Sequence, residues 1–394
     1  MLGRKLARNK GLVNRNSILE KLFLLGFALI LSLVLSEVIL RVFWTDRKGV
    51  DISGIIKSDK LTTYSFIEGS HTTITGKLKD FRTEVNINSF GLRGHDPELT
   101  MLPGEQRILL FGDSEVFGTG VEENETMACY TESFLNKKSR KDIQYKIINM
   151  GMPGTGTLDQ EQLFYRYVIK FKPHAVIFLI TVANDLEDNI KYITSREVNT
   201  EGKRVEKMTP FLSLSNLYVF IFAKEAARSA FVKFPVLRKI LRLSRYDFGA
   251  TSATATQWYD DGVLDKGFDN MKKSFLRIAD ACKVRDIDMY IAAIPSRTQF
   301  DRAYMEISLA ISSEVIRKRF RDNPRKPQEL IRNFCQDNSV NYIELLNRFK
   351  YLSDEKDVLL RYPHDGHLNV EGTKEIAKIL AEHVKKDSGF QISK

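Results

Sequence analysis

The chain has 394 residues, enough for one large domain or two ordinary ones. Its 43% hydrophobic and 28% charged residues exclude a disordered or fibrous protein, and three cysteines are too few for a disulfide scaffold. The net charge of +10 is concentrated near the start, where residues 1–48 hold nine basic and three acidic residues. We therefore expect no nucleic-acid partner for the bulk of the chain.

An apolar segment follows the basic tail formed by residues 1–21. Residues 22–44 are mostly apolar and carry no charge except at Glu37 and Arg41, which lie four apart and share a helix face. A helix needs about 20 residues to cross a bilayer, and this segment is long enough. The pattern predicts one transmembrane helix.

Two interpretations of this helix compete. In the first, it is an uncleaved signal anchor that keeps the basic tail in the cytoplasm and places the remaining chain in the periplasm or outside the cell. In the second, it is a signal peptide cut after the small residues Val34 and Ser36. We favour the anchor, because the apolar segment is long for a signal peptide and continues past the possible cut.

The remaining chain changes pattern twice. Residues 45–105 predict a lead-in of short strands, with rough alternation between 72 and 85. Residues 106–388 then alternate short apolar runs with helix-like segments, which predicts an α/β domain with a parallel sheet and helices on both faces. The stretch 191–257 breaks this alternation and predicts an insertion. The predicted strands are 108–111, 147–150, 175–181 and 289–294, and the predicted helices are 127–137, 158–171, 268–284 and 370–386.

Four short stretches lie just after predicted strands or just before the last helix. Ligands of parallel sheets bind at the carboxyl ends of the strands, so these stretches are candidates for one shared site. Together they supply a hydroxyl, donors for an oxyanion, a base and a group to orient the base. The stretches are 112–118 (GDSEVFG), 149–155 (NMGMPGT), 183–185 (AND) and 363–369 (PHDGHLN).

This ordered set resembles the SGNH, or GDSL, hydrolase superfamily. The resemblance rests on GDS at 112–114, Pro-Gly at 153–154, Asn-Asp at 184–185 and Asp-x-His at 365–367, and it covers roughly residues 90–386. It implies a flavodoxin-like three-layer α/β/α sandwich.

The resemblance also implies roles for individual residues. Ser114 would be the nucleophile, His367 the base, and Asp365 the residue that orients the imidazole. The oxyanion would be bound by the backbone N–H groups of Ser114 and Gly154 and by the side-chain amide of Asn184. No metal and no organic cofactor is implied.

Three departures from the family pattern stand out. The common last block is D-x-x-H, whereas Asp365 and His367 are only two apart, as in the branch that resembles polysaccharide O-acetyltransferases. Val182 stands where many members have glycine, two residues before Asn184. His364 is a rival base, although it precedes Asp365 and fits the block less well.

The sequence thus favours a membrane-anchored serine ester hydrolase that acts through an acyl-enzyme on an ester or acylated carbohydrate at the cell envelope. One alternative is an O-acyltransferase that modifies a cell-surface polysaccharide, since it would use the same triad. A catalytically silent envelope scaffold is a weaker alternative, because every core residue is present. The sequence leaves the acyl group, the alcohol and the oligomeric state open.

Overall fold

The chain divides into two compact units, which are described separately below. The units comprise residues 1–47 with 205–243, and residues 48–204 with 244–394. The structure, a computed structural model, describes residues 2–43, 50–76, 79–137, 142–200, 219, 255–363 and 365–387.

The first unit contains a long helix, α1 (Leu2–Phe43). Its segment Glu20–Leu40 is the one helix, among the described residues, that is long and apolar enough to cross a membrane. The large apolar side chains of this segment are exposed, except for the half-buried Leu40. The Glu37 carboxylate accepts a hydrogen bond from the backbone N–H of Val219 at 2.9 Å. The side chain of Arg41, which shares a helix face with Glu37, lies outside the described residues.

The second unit is built on a five-stranded parallel sheet. The strands of the described chain are β1 (Ile56–Lys57), β2 (Ser65–Phe66), β3 (His71–Thr75), β4 (Arg82–Asn86), β5 (Glu105–Gly112), β6 (Gln144–Gly151), β7 (Ala175–Thr181), β8 (Asp288–Ile294) and β9 (Asn341–Ile343). The parallel sheet has the order β6-β5-β7-β8-β9, which is the 2-1-3-4-5 order of flavodoxin-like folds. The predicted fold class is therefore confirmed by the strand order itself.

Helices cover both faces of this sheet. The helices of the second unit, within the described residues, are α2 (Ser114–Phe117), α3 (Met127–Asn136), α4 (Thr157–Phe171), α5 (Asp185–Thr200), α6 (Asp261–Val284), α7 (Arg297–Phe300), α8 (Arg302–Ile311), α9 (Glu314–Asp322), α10 (Lys326–Asp337), α11 (Leu346–Lys350) and α12 (Val370–Asp387). Along β5, Leu109 and Phe111 join one buried cluster with side chains of α4, α6 and α10. Ile108 and Leu110 join a second cluster with side chains of α3, α11 and α12. Since neighbouring strand residues point to opposite faces, the sheet forms the middle of three layers.

The lead-in packs against the sheet domain. Strands β3 and β4 form an antiparallel hairpin, as the alternation predicts, and β1 pairs with β2. Phe66, Ile74 and Val85 from the lead-in belong to the same buried cluster as the sheet residues Leu109 and Phe111. The lead-in therefore shares the hydrophobic core of the α/β domain.

The observed helices and strands differ from the predicted ones at two kinds of place: where a capping residue sets the start of a helix, and where an element is very short. Helix α6 begins at Asp261, seven residues before the predicted start, because the Asp260 carboxylate accepts from the backbone N–H of Val263 at 3.2 Å. The short strand β9 was not predicted. Helix α5 continues to Thr200, and of residues 201–254 only Val219 is described, so the extent of the insertion stays a prediction.

Candidate active site

The candidate nucleophile lies at the end of the central strand. Strand β5 ends at Gly112, and Ser114 is the first residue of the one-turn helix α2. The Asp113 carboxylate caps this helix by accepting from the backbone N–H of Glu115 at 3.0 Å. The turn places Ser114 at the carboxyl edge of the sheet, where parallel sheets bind their ligands.

The neighbouring strand leaves room for this helix through a glycine. A Cβ atom at Gly151, the last residue of β6, would lie 2.0 Å from the backbone nitrogen of Phe117. No side chain fits at that distance, so glycine is what allows β6 and α2 to pack together. The close backbone approach in the 149–155 stretch is therefore to α2.

Ser114, His367 and Asp365 form a continuous hydrogen-bonded chain. His367 Nε2 lies 3.0 Å from Ser114 Oγ, and His367 Nδ1 is hydrogen-bonded to Asp365 Oδ1. The Asp365 side chain is 3% exposed, whereas the imidazole is 24% exposed. The buried carboxylate therefore holds a ring whose other nitrogen faces the serine hydroxyl, which is the arrangement of a nucleophile, a base and an orienting acid.

The environment of His367 favours its protonated form. Burial opposes the charged imidazolium, but the hydrogen bond to Asp365 and the negative charges of Glu115, Asp365 and Asp113 together raise the pKa of His367 above its ordinary value. A neutral imidazole whose pKa is raised has a higher affinity for a proton, including the proton of a serine hydroxyl. The site therefore stabilises the imidazolium form of His367.

The loop that carries Asp365 and His367 is tied down at several points. Its two ends pair as an antiparallel bridge between Arg361 and Leu368, and the Tyr362 N–H donates to the His367 carbonyl at 2.8 Å. The lead-in also contacts the loop, since the Asp80 carboxylate accepts from the Asp365 N–H at 2.8 Å. The rival base His364 lies outside the described residues.

The carboxyl end of α2 is capped by a buried arginine from the lead-in. Arg93 donates to the carbonyls of Phe117 at 2.9 Å, Gly118 at 2.5 Å and Val121 at 2.7 Å. Its guanidinium also lies 5.1 Å from the centre of the Phe117 ring. These contacts satisfy carbonyls that a one-turn helix leaves without partners. Sequence reasoning missed Arg93, because it stands in a stretch rich in turn residues.

Two predicted oxyanion donors lie on the neighbouring strand ends. Gly154 follows β6, is exposed, and has a φ of +68°, a left-handed conformation that favours glycine. The adjacent Pro153 carbonyl accepts from the Tyr64 hydroxyl at 2.7 Å, which fixes this turn against the lead-in. Asn184 lies after β7 and directly before α5.

The Asn184 amide is held by two carboxylates. Its Nδ2 atom lies 3.0 Å from Asp113 Oδ2 and 2.7 Å from Asp188 Oδ2. A side-chain amide has two hydrogens, so both are engaged in this state. To bind an oxyanion, Asn184 would have to exchange one carboxylate for the substrate oxygen.

Acidic groups cluster around this amide. Burial, with the charge of Glu115 adding to it, raises the pKa of Asp113 to about 6. Burial and the charges of Asp113 and Asp188 raise the pKa of Asp185 well above its ordinary value. The cluster therefore holds protons at pH values where ordinary carboxyl groups are charged, which limits the negative charge beside Asn184.

The described residues contain no group of three or more His, Cys, Asp or Glu side chains arranged to hold a metal ion. The three cysteines are unpaired, and burial raises the pKa of both Cys282 and Cys335 to about 12. Cys129 is exposed as a residue, but its thiol group is partly buried. This burial and the nearby acidic charges raise the pKa of the Cys129 thiol as well. None of these thiols has the lowered pKa of a nucleophilic cysteine.

Comparisons with known proteins give structural neighbours only. No protein-family model and no curated protein matches the sequence. Among solved structures, the chain is similar to the acetyl xylan esterase AlAXEase, with 14% identity, 71% of this chain and 99% of that chain covered, and a TM-score of 0.40. A catalytic mutant of an acetylxylan esterase from Geobacillus stearothermophilus gives 11% identity, 71% and 94% coverage, and a TM-score of 0.38. The lipase/acylhydrolase from Enterococcus faecalis gives 12% identity, 71% and 96% coverage, and a TM-score of 0.36.

At identities of 11–14% and TM-scores of 0.40 or less, the activities of these proteins are not carried over to this chain. The feature of the site that bears most on function is the hydrogen-bonded chain from Ser114 through His367 to Asp365. It brings together residues that are 253 positions apart.

Proposed function

We propose that the protein is a serine-dependent ester hydrolase that acts through an acyl-enzyme at the cell envelope. The single observation that carries this proposal is the 3.0 Å contact between Ser114 Oγ and His367 Nε2, with Asp365 bonded to the opposite ring nitrogen. A neutral serine is a weak nucleophile, and this geometry gives it a base within reach. The proposed substrate is an ester or an acylated carbohydrate.

In the first half-reaction, Ser114 Oγ attacks the acyl carbon while His367 Nε2 takes its proton. Asp365 holds the ring in the tautomer that leaves Nε2 free to accept, and it stabilises the imidazolium. His367 then returns the proton to the leaving alcohol as the carbon–oxygen bond breaks. The product of this step is an ester between the acyl group and Ser114.

The oxyanion that forms at the acyl carbon needs donors. We assign this role to the backbone N–H groups of Ser114 and Gly154 and to the Asn184 amide, which lies among the acids Asp113 and Asp188. Substrate binding would replace one of these carboxylates as the partner of the amide.

In the second half-reaction, water attacks the acyl-enzyme while His367 accepts its proton, and Ser114 leaves with a proton returned from the imidazolium. Serine, histidine and water supply every group that these steps require. We therefore expect no dependence on a cofactor.

The test is turnover of p-nitrophenyl acetate without any added acceptor. A hydrolase admits water to the acyl-enzyme, so we expect steady release of p-nitrophenol over many turnovers. An O-acyltransferase would exclude water, because hydrolysis would waste its acyl donor. A burst of one equivalent that stalls and is restored by an oligosaccharide would overturn the hydrolase proposal in favour of the transferase. Absence of both burst and turnover would favour the silent scaffold.

We further propose that α1 anchors the protein in a membrane with residues 1–21 in the cytoplasm. The apolar segment Glu20–Leu40 and the basic residues before it support this orientation. Protease added to intact spheroplasts is expected to degrade the α/β domain while a cytoplasmic marker stays whole. Full protection of the domain, under conditions that digest a known external protein, would contradict this topology.

A further inference from the structure

The residue after the candidate nucleophile is a buried acid. Glu115 lies in the same helical turn as Ser114, and its side chain is 5% exposed. One carboxylate oxygen accepts from Arg361 Nη1 at 2.5 Å, and the other accepts from the backbone N–H of Leu368 at 2.9 Å. Arg361 and Leu368 are the two ends of the loop that carries Asp365, and we call residues 361–368 the base loop. A single carboxylate therefore holds both ends of this loop.

Arg361 extends the connection to two further points. Its Nη1 also donates to the Gly366 carbonyl at 2.9 Å, and its Nη2 donates to the Pro295 carbonyl at 2.9 Å. Gly366 directly precedes His367, and Pro295 follows strand β8. The guanidinium thus links α2, the inside of the base loop and the end of a central strand.

We propose that Glu115 and Arg361 are positioning residues, whose buried ion pair fixes the base loop to α2 and so sets the distance between Ser114 and His367. This inference rests on the proposed function. It explains why the acid stands beside the nucleophile, where it joins the two elements that carry the reacting groups.

Stability alone would not explain such a pair. A buried ion pair is often no more stabilising than apolar side chains of similar size, because both charges lose their hydration. Its geometry, however, is specific, since a guanidinium and a carboxylate meet at fixed angles and distances. Rates of reaction depend steeply on such placement: a displacement of 1 Å can cost about 10²-fold.

The same strand carries a matched control. Glu105 and Arg107 form a second buried ion pair, with side chains 3% and 2% exposed and a closest contact of 2.5 Å. This pair lies at the start of β5, whereas Ser114 follows its end, so the two sites are roughly 20 Å or more apart. Loss of either pair should affect folding, but only loss of the Glu115 pair should affect the triad.

The charge of Glu115 provides a second readout, beside the separation of kcat from KM. The negative charge of Glu115 is one of the influences that raise the pKa of His367, next to its hydrogen bond with Asp365. Removing that charge should lower this pKa and move the acid limb of the kcat/KM profile to lower pH. Among the described residues, the charged groups that contact or face the base loop from other elements include Asp80, Asp113, Glu115 and Arg297, which donates to the Pro363 carbonyl at 3.0 Å. The loop itself carries Arg361, Asp365 and His367.

The experiment compares Glu115→Gln with Glu105→Gln in the full-length protein. For Glu115→Gln we expect kcat for p-nitrophenyl acetate to fall about 10²-fold with little change in KM, and the acid limb to move to lower pH. For Glu105→Gln we expect a lower melting temperature with kcat and the pH profile of the wild type. Equal behaviour of the two variants, with both folded, would overturn the proposal.

A double variant distinguishes an effect on the position of the base loop from an effect on the stability of the fold. Glu115→Leu with Arg361→Met removes both charges, so it should recover stability lost in either single variant. We expect its kcat to stay low, because the base loop is no longer fixed to α2. Wild-type kcat in the folded double variant would show that the pair only stabilises the fold. If this variant does not fold, the pH profile and kcat of Glu115→Gln decide the question.

Failure of this inference can be told apart from failure of the proposed function. Wild-type protein must first turn over the ester in a manner that requires Ser114. If it does not, the hydrolase proposal fails. If it does and Glu115→Gln matches Glu105→Gln, the hydrolase proposal stands and the positioning role fails alone.

Discussion

Replacement of Ser114 by alanine is expected to abolish covalent labelling by a fluorophosphonate and to lower kcat by on the order of 10⁶-fold. The reagent phosphorylates a serine that a neighbouring base activates, and the 3.0 Å contact with His367 marks Ser114 as that residue. Intact-mass measurement should show one adduct on the wild type, and peptide mapping should place it on Ser114.

The fold should survive this substitution. The described side-chain contact of Ser114 is the one to His367, so the packing of α2 against Gly151 does not depend on the hydroxyl. Ser133→Ala, on helix α3, serves as the control and should label like the wild type. An adduct that persists in Ser114→Ala, with an unchanged melting temperature, would place the nucleophile elsewhere.

Replacement of His367 by alanine should lower kcat by on the order of 10⁵–10⁶-fold, because this base serves both half-reactions. In the wild type, kcat/KM should rise with pH as the imidazolium loses its proton, since only neutral His367 can accept from Ser114. The pKa of His367 is raised above its ordinary 6.5, so the midpoint of the acid limb should lie above that pH. His367→Ala should lack this limb.

Graded variants test the individual roles. Asp365→Asn should cost on the order of 10⁴-fold, because the imidazole would adopt the wrong tautomer. Asn184→Ala should cost less, on the order of 10²–10³-fold, since two backbone donors would remain. His364→Ala is the matched control for the base. A variant of His364 that loses activity while His367→Ala keeps it would contradict the assignment of the triad.

The central part of the fold could be predicted from the sequence, because buried parallel strands appear in it as uninterrupted apolar segments. The predicted strand at residues 175–181 matches β7 residue for residue, and every residue of this strand is buried. The strand β9 was missed since it has only three residues, one of them buried, and such a segment carries no distinctive period. Helix α6 began earlier than predicted, because a cap by Asp260 outweighed the polar composition of its first turns.

Only part of the candidate site could be predicted from the sequence. Ser114, Asp365 and His367 stand in short stretches whose order along the chain is informative, and the structure brings them together. The buried ion pair of Glu115 and Arg361 was not predicted, because a charged residue is expected to be exposed unless its partner is known. Their sequence separation of 246 residues leaves no local pattern to detect. The contact of Asn184 with Asp113 was missed for the same reason, since 71 residues separate them, whereas its contact with Asp188 spans only four residues.

The distance along the chain between Ser114 and His367 has a consequence for synthesis. The two residues are 253 positions apart, and Asp365 also depends on Asp80 in the lead-in. At about 5–20 residues per second, a ribosome needs roughly 10–50 s to pass from the serine to the histidine. During that interval Ser114 stands without His367, so the contact between them cannot form on a shorter nascent chain. The activity proposed for this site would therefore appear only after nearly all of the α/β domain has been made.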